Sequence, residues 1–315
     1  MQSISRLIDP YRTLRTRLQG FPGKKVLVLE GGGMRGIFLV GVLQAFMDRG
    51  YFPWHCIIGT SAGALTGAAY AARQIYLARD AFFSDLLSGR FIRVTNIFRR
   101  EKHILNLDWM VDNFTAQEGG LNLRRLSTTA CPVIIVATCF YRHAPLRPLY
   151  LDSRRDDVPV ALKASAAIPV LYRNFIPYKD EMLMDGSVCD PLPFKKALEK
   201  GYKEQDILVV TTRPRGYRKD RESFWVQKLY EAYYKDDQYA FLVTALKDHY
   251  NRYNLLLDEL EQDHPDIDVI YPPGDFKVNR LSRSEDKILE GFVQGVVAAR
   301  SYLYPFGEQE TLPTD

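Results

Sequence analysis

Between positions 25 and 73 the chain twice passes from a short, unbroken apolar run through a glycine turn into a helix. Residues 25–30 read KVLVLE, residues 31–36 read GGGMRG, and 37–48 carry Ile37, Val40, Gly41, Leu43, Phe46 and Met47 on one side. Residues 55–58 (HCII) then run into Gly59-Thr60-Ser61-Ala62-Gly63 and an alanine-rich stretch ending at Arg73. Continuous apolar runs of this length are strands buried on both faces, the kind found in parallel sheets covered by helices. Strand, turn and helix repeated at this spacing predict a doubly wound α/β fold.

The strand series continues at 131–140 (CPVIIVATCF), 181–184, 206–212 (DILVVTT) and 267–271 (IDVIY), with 149–151 as a short neighbour. Helices are predicted over 158–167, 220–262 and 284–302, with a break at Lys235-Asp236-Asp237. The 220–262 stretch is rich in aromatics, among them Phe224, Trp225, Tyr234, Tyr239 and Tyr253, and reads as an insertion before the strand at 267–271 rejoins the sheet. Asp9 as a cap and Pro10 at the first helical position start a helix over 9–19. It has Ile4, Leu7, Ile8, Tyr11, Leu14 and Leu18 on one face and arginines on the other, the pattern of a helix packed on a domain or lying on a membrane surface. Three parts follow: an amphipathic helix within 1–23, an α/β domain over 24–215, and a mainly helical region over 216–315.

With 46% apolar and 25% charged residues, the chain is not disordered, collagen-like or a coiled coil. Lys and Arg exceed Asp and Glu by 42 to 38, an excess too small to argue for nucleic acid. Cys56, Cys131, Cys139 and Cys189 show no C-x-x-C spacing, and the five histidines are scattered. The expectation is a reducing compartment, no metal and no cofactor. Residues 1–20 lack the apolar core of a secretory leader, and no run approaches the ~20 apolar residues of a membrane span. A cytoplasmic chain is expected, with room for a peripheral contact at the inner face of a membrane.

Gly59-x-Ser61-x-Gly63 between a strand and a helix has the form of a nucleophile elbow, in which a sharp turn lifts the serine oxygen clear of the sheet. The same letters also suit a serine that merely caps a helix. The 31–36 loop opens a helix directly after a strand, so its unpaired N–H groups favour an anion, either a phosphate or the oxyanion of acyl transfer. It also spells G-x-G-x-x-G, but the next strand ends at Ile58-Gly59-Thr60 without the acid that a dinucleotide ribose needs. For a base, His249 and His264 are the late histidines of a Ser-Asp-His order, although both sit among charged residues and read as solvated. The alternative is Asp185, at a strand end before Gly186, where the carboxyl ends of parallel strands gather. An aspartate serves as base where burial raises its pKa and an oxyanion hole lowers the demand on it.

Together these pieces resemble the patatin-like phospholipases. The Gly31-Gly32-Gly33-Met34-Arg35-Gly36 loop is followed about 28 residues later by Gly59-Thr60-Ser61-Ala62-Gly63, and Asp185-Gly186-Ser187 stands in mid-chain. Lys163-Ala164-Ser165-Ala166-Ala167-Ile168-Pro169 and the prolines Pro191 and Pro193 also fit, so the likeness covers roughly 24–212. Ser187 departs from the usual glycine or alanine. The resemblance implies a three-layer patatin-like fold around a parallel sheet, with a helical C-terminal insertion. It also implies a lipid acyl hydrolase that works by a Ser–Asp dyad without histidine or metal on phospholipid or lysophospholipid esters. Ser61 would attack and Asp185 would take its proton. Backbone N–H groups of Gly31, Gly32, Gly33 and Met34 would hold the oxyanion. Arg35, Gly36, Gly59, Gly63 and Gly186 would support the loops, with Arg35 bracing the first. Two other classes remain: a membrane- or protein-binding module of the same fold without turnover, and a Ser-His-Asp esterase of the α/β-hydrolase type.

Overall fold

Eight strands form one sheet in the order β5-β6-β3-β2-β1-β7-β8, with β4 also paired to β3. They are β1 (Val26–Leu29), β2 (Cys56–Thr60), β3 (Val133–Phe140), β4 (Arg147–Asp152), β5 (Ile176–Tyr178), β6 (Glu181–Asp185), β7 (Ile207–Val210) and β8 (Asp268–Ile270). This computed structural model describes residues 22–305 except positions 94, 97, 98, 100 and 101; the helix expected over 9–19 lies outside the described residues.

The apolar runs are strands because both of their faces are covered. Leu27, Leu29, Ile57, Ile135, Leu208 and Val210 point into one core, with α1 (Ile37–Asp48), α2 (Ala62–Ala71) and α6 (Val158–Ala166) on that side. The alternate residues Val26, Val28, Ile58, Val136 and Val209 point into a second core closed by α7 (Phe194–Glu199) and α10 (His249–Gln262). Period-two alternation with no polar face makes three layers. The closing helix α11 (Glu285–Leu303) lies against α1 and carries Ile288, Ala299 and Leu303 into the first core.

The sheet is parallel through β3-β2-β1-β7-β8, and β4, β5 and β6 run antiparallel to their neighbours. The expected sheet is thus mostly parallel, with an antiparallel side. The reason is linker length: β3 and β4 are separated by residues 141–146 and β5 and β6 by 179–180. A parallel return needs a crossover of about a dozen residues or more.

One register detail places the site. β3 is eight residues long, and β2 pairs only with Ile134's half of it, ending with Thr60 opposite Val136. β4 lies along Ile134 to Cys139 on one edge of β3, so β2 occupies the other edge. β6 pairs with Ala137 to Phe140 and must share the edge with β2, because β4 already holds the opposite one. β2 and β6 thus run toward each other along one edge of β3, and Thr60 and Asp185 end at adjacent positions, opposite Val136 and Ala137.

The aromatic stretch forms α8 (Phe224–Tyr233), α9 (Ala240–Lys247) and α10, with the break near Asp236. Tyr234, Leu242 and Leu246 pack with Phe140, Met184 and Val188 of the sheet's antiparallel side. Phe224 and Trp225 are 63% and 79% exposed, so core packing does not account for these two.

Candidate active site

Ser61 follows β2 directly and precedes α2, with φ 53° and ψ −120°. A non-glycine residue held there is strained, as a nucleophile elbow requires. Its backbone N–H donates to Ser165 Oγ at 2.8 Å, and Ser165 Oγ donates to Val136 O at 2.5 Å. Ser165, in α6, thereby pins the elbow to the point on β3 where β2 stops. The flanking glycines are needed for close approach: a Cβ on Gly63 would lie 2.4 Å from the Leu29 carbonyl, and one on Gly59 would lie 2.7 Å from Gly63 backbone.

Asp185 ends β6 and is wholly buried. Its Oδ1 accepts from Ser187 N at 2.7 Å, whereas Oδ2 has no hydrogen-bond partner. Burial pushes the carboxyl above the usual aspartate range, while Ser187, the Ser61 hydroxyl and Arg280 pull it back. Gly186 keeps the turn tight, since a Cβ there would meet Val136 O at 2.2 Å. Asp185 therefore meets Ser61 end to end along β3, and not as one of several parallel strand ends side by side.

The histidines lie elsewhere in chemistry. His249 Nε2 stands 2.9 Å from Ser187 O, and Nδ1 stands 2.9 Å from Lys219 Nζ. The carbonyl can only accept and the ammonium only donate, so the ring is neutral with its proton on Nε2. Burial, Lys219 and Arg280 push its pKa down to about 3. The solvated reading of His249 is overturned: α10 begins here and lays the ring over the Asp185 turn. No local sequence signal marks this, because the partners are 30 and 62 residues away. His264, near the far end of α10, places Nδ1 2.7 Å from Glu204 Oε1.

In the glycine loop, Gly33 has φ +55°, and a Cβ on it would meet Arg280 O at 2.7 Å. Of the four N–H groups expected to hold an oxyanion, two are engaged elsewhere. Gly31 N–H is spent on Pro191 O at 3.3 Å and Met34 N–H on Arg280 O at 3.1 Å. Gly32 and Gly33 N–H have no partner among the described residues and line the same cavity as Ser61 and Asp185. Gly36 packs on α2, where a Cβ would touch that of Ala62 at 2.8 Å. Arg35 does not brace the loop through its side chain: the guanidinium makes no hydrogen bond or ion pair among the described residues, and Nε is buried without a partner. Burial together with Arg213 and Arg280 pushes its pKa down to about 9, so it stays charged at neutral pH.

Two recesses meet at Ser61. One is apolar and lined by Met34, Phe82, Leu86, Ile92, Leu107 and Met110. The other is polar and holds Asp185, Arg213, Lys219, His249 and Tyr253. Gly33, Ser61, Ile168 and Arg280 border both. Phe91 and Ile92 face the apolar recess, while Arg90, Arg93 and Lys102 near them in the chain are exposed. A serine at a seam between apolar and polar space suits an ester with a hydrocarbon acyl group and a polar alcohol. Among the described residues no cluster of His, Cys, Asp or Glu would hold a metal, and no helix is long and apolar enough to cross a membrane.

A family model described as patatin-like phospholipase matches residues 27–198, more than half of the chain, and one for a domain of unknown function matches 239–309. The chain is 28% identical over 293 residues to the uncharacterized protein YjjU of Escherichia coli K12, covering 91% of this chain and 79% of that one. It is 30% identical over 181 residues to the uncharacterized NTE family protein Rv1063c of Mycobacterium tuberculosis, covering 56% of this chain but 46% of that one. The crystal structure of VipD from Legionella pneumophila superposes with a TM-score of 0.49 at 15% identity, over 90% of this chain and 67% of that one.

Proposed function

The chain belongs to the patatin-like phospholipase family, and on that premise we propose that it cleaves carboxylic esters of phospholipids or lysophospholipids with a Ser61–Asp185 dyad. One observation carries the reading: β2 and β6 end against each other on β3, so an elbow serine and a buried, half-unpartnered carboxyl share one recess with two idle N–H groups.

The steps follow from these groups. The acyl chain lies in the apolar recess, and its ester carbonyl reaches Ser61. Ser61 Oγ attacks the carbonyl carbon while Asp185 Oδ2 takes the hydroxyl proton. The carbonyl oxygen becomes an oxyanion held by Gly32 and Gly33 N–H, an arrangement whose loss of one donor typically costs ~10²–10³ in rate. The tetrahedral species collapses, Asp185 returns the proton to the departing alcohol oxygen, and an acyl-serine remains. Asp185 then takes a proton from water as that water attacks the acyl carbon. The fatty acid leaves and Ser61 recovers its proton. Burial of Asp185 suits this work, because a raised pKa makes the carboxylate a better base.

The test compares wild type, Ser61→Ala and Asp185→Asn on a mid-chain p-nitrophenyl ester and on phospholipid vesicles. The expected result is turnover in wild type and a loss of roughly 10³-fold or more in each variant. Turnover that survives Ser61→Ala removes the assigned nucleophile. A wild type inert on every ester returns the weight to a binding module.

A further inference from the structure

The polar recess carries more positive charge than the hydrolysis needs. Arg35, Arg213, Lys219 and Arg280 line it, against Glu30 and Asp185 as the carboxylates. Neither carboxylate neutralises a guanidinium through an ion pair. Glu30 is 1% exposed, and its oxygens accept from Tyr253 OH at 2.6 Å and from Thr212 N. Asp185 is held at Ser187. Lys219 reaches Glu222 at 3.2 Å, but Arg35, Arg213 and Arg280 have no ion pair among the described residues. Arg213 lies over the Tyr217 ring at 4.2 Å, which orients the guanidinium without discharging it. Arg35 is 4% exposed and keeps its buried Nε unpartnered. Like charges gathered this closely oppose further positive charge, and His249 in their midst is kept neutral. A buried guanidinium with an unmet donor is costly unless something supplies an acceptor.

Placement says what that something is. Arg280 borders both recesses beside Ser61, so whatever the cations hold is joined to the alcohol side of the scissile ester. A quaternary ammonium would face four cations against two carboxylates, Glu30 already held by Tyr253 and Thr212 and Asp185 assigned to the proton transfer. A phosphate ester dianion would supply the oxygens that arginine forks match. We propose, resting on the hydrolase reading above, that this recess binds the terminal phosphate of the substrate headgroup, and that the chain prefers lipids or lysolipids ending in a phosphate monoester. Three of the four cations, Arg213, Lys219 and Arg280, lie beyond the segment matched by the patatin-like family model. The preference is therefore a property of this chain's C-terminal part, and Arg280 lies within the second matched segment.

The test has two arms. The first measures kcat/KM on lysophosphatidic acid and lysophosphatidylcholine of one acyl chain, in mixed micelles of constant surface charge, for wild type, Arg213→Gln and Arg280→Gln. The expected result is a preference of roughly 10- to 100-fold for the phosphate monoester, the worth of one to two charge-assisted hydrogen bonds, collapsing toward parity in both variants. The second arm follows glycerol 3-phosphate binding to Ser61→Ala by calorimetry, where no turnover is needed. Saturable binding that weakens at high salt and is lost when Arg213→Gln is added supports the site. Lysolipids hydrolysed at equal rates, with no glycerol 3-phosphate bound, overturn the phosphate site and leave the hydrolase reading intact. Glycerol 3-phosphate bound while no lipid is cleaved overturns the hydrolase reading and leaves the site. Binding of glycerol 3-phosphate with no headgroup preference in a lipid-cleaving enzyme overturns the headgroup assignment, since the site then serves a free phosphate.

Discussion

His249 is predicted to make the protein acid-labile, and the size follows from its contacts. The ring is fixed neutral between Ser187 O and Lys219 Nζ, with Arg280 adding to the repulsion of a proton. Its pKa falls from 6.5 to about 3 in the folded chain. Below pH 6.5 the unfolded chain takes up a proton that the folded chain refuses, so stability is lost as pH falls from 6.5 toward 3. At pH 5 that is about 1.5 pH units, or about 2 kcal/mol at most. His249→Gln keeps an amide N–H for Ser187 O and an oxygen for Lys219, and does not titrate. Tm would be followed by scanning calorimetry at pH 7.5 and pH 5. Groups common to both proteins cancel, and the acid-induced drop should be smaller in the variant by roughly 4 °C. Parallel drops would refute the reasoning, because they would mean that the ring accepts its proton in the folded state. The same variant separates two chemistries: loss of a general-base histidine costs ~10⁶ in kcat, while a ring that only steadies the Asp185 turn should cost less than about tenfold.

Asp185 carries the opposite sign. Its folded pKa is raised, so stability falls as pH rises through the window above the ordinary aspartate value, and at pH 7 the charge is a net cost. Asp185→Asn should then abolish turnover yet raise the urea midpoint at pH 7, since the amide carries no charge to bury; a destabilised variant would contradict this account of the buried Oδ2. Ser165→Ala should leave Ser61 N–H and Val136 C=O unpaired in the interior and cost roughly 2–4 kcal/mol, with a fall in kcat. A change below about 0.5 kcal/mol in its denaturation midpoint would show that the elbow does not depend on that bridge.

What the sequence makes legible is what its local patterns encode. Residues 26–29, 56–60, 133–140 and 207–210 are apolar on both alternations, so their burial in a parallel sheet is written in the strands themselves. Ser61 is legible because its glycines are demanded by backbone a few residues away. The direction of β6 was not, since it depends on which edge of β3 remains vacant after β2 ends. Nor was it legible which N–H groups of the glycine loop stay unpaired. Gly31 and Met34 look no different from Gly32 and Gly33 until Pro191 and Arg280, far along the chain, claim their N–H groups. His249 reads as solvated, and nothing local marks Arg213, Lys219 or Arg280, which meet it only in the folded chain.

The division of labour between the two parts of the chain follows from strand length. Had β3 ended at Val136, β6 would find no ladder beside β2, and the carboxyl at its end would have no fixed place relative to the elbow. The proposed reaction thus depends on four residues of β3, Ala137 to Phe140, that line neither recess. Those residues, Ser61, Asp185 and the glycine loop all lie within positions 27–198. The same segment leaves the alcohol side of the seam open, and the closure comes from the loop after β7, from the start of α10 and from Arg280 before α11. On the proposed reading the earlier segment builds the reaction centre, and the later one supplies the side chains around the leaving group while its Arg280 carbonyl anchors the glycine loop at Met34 N–H. Changes at Arg213, Lys219 or Arg280 should therefore move headgroup preference, while changes along β3 should move turnover on every ester alike.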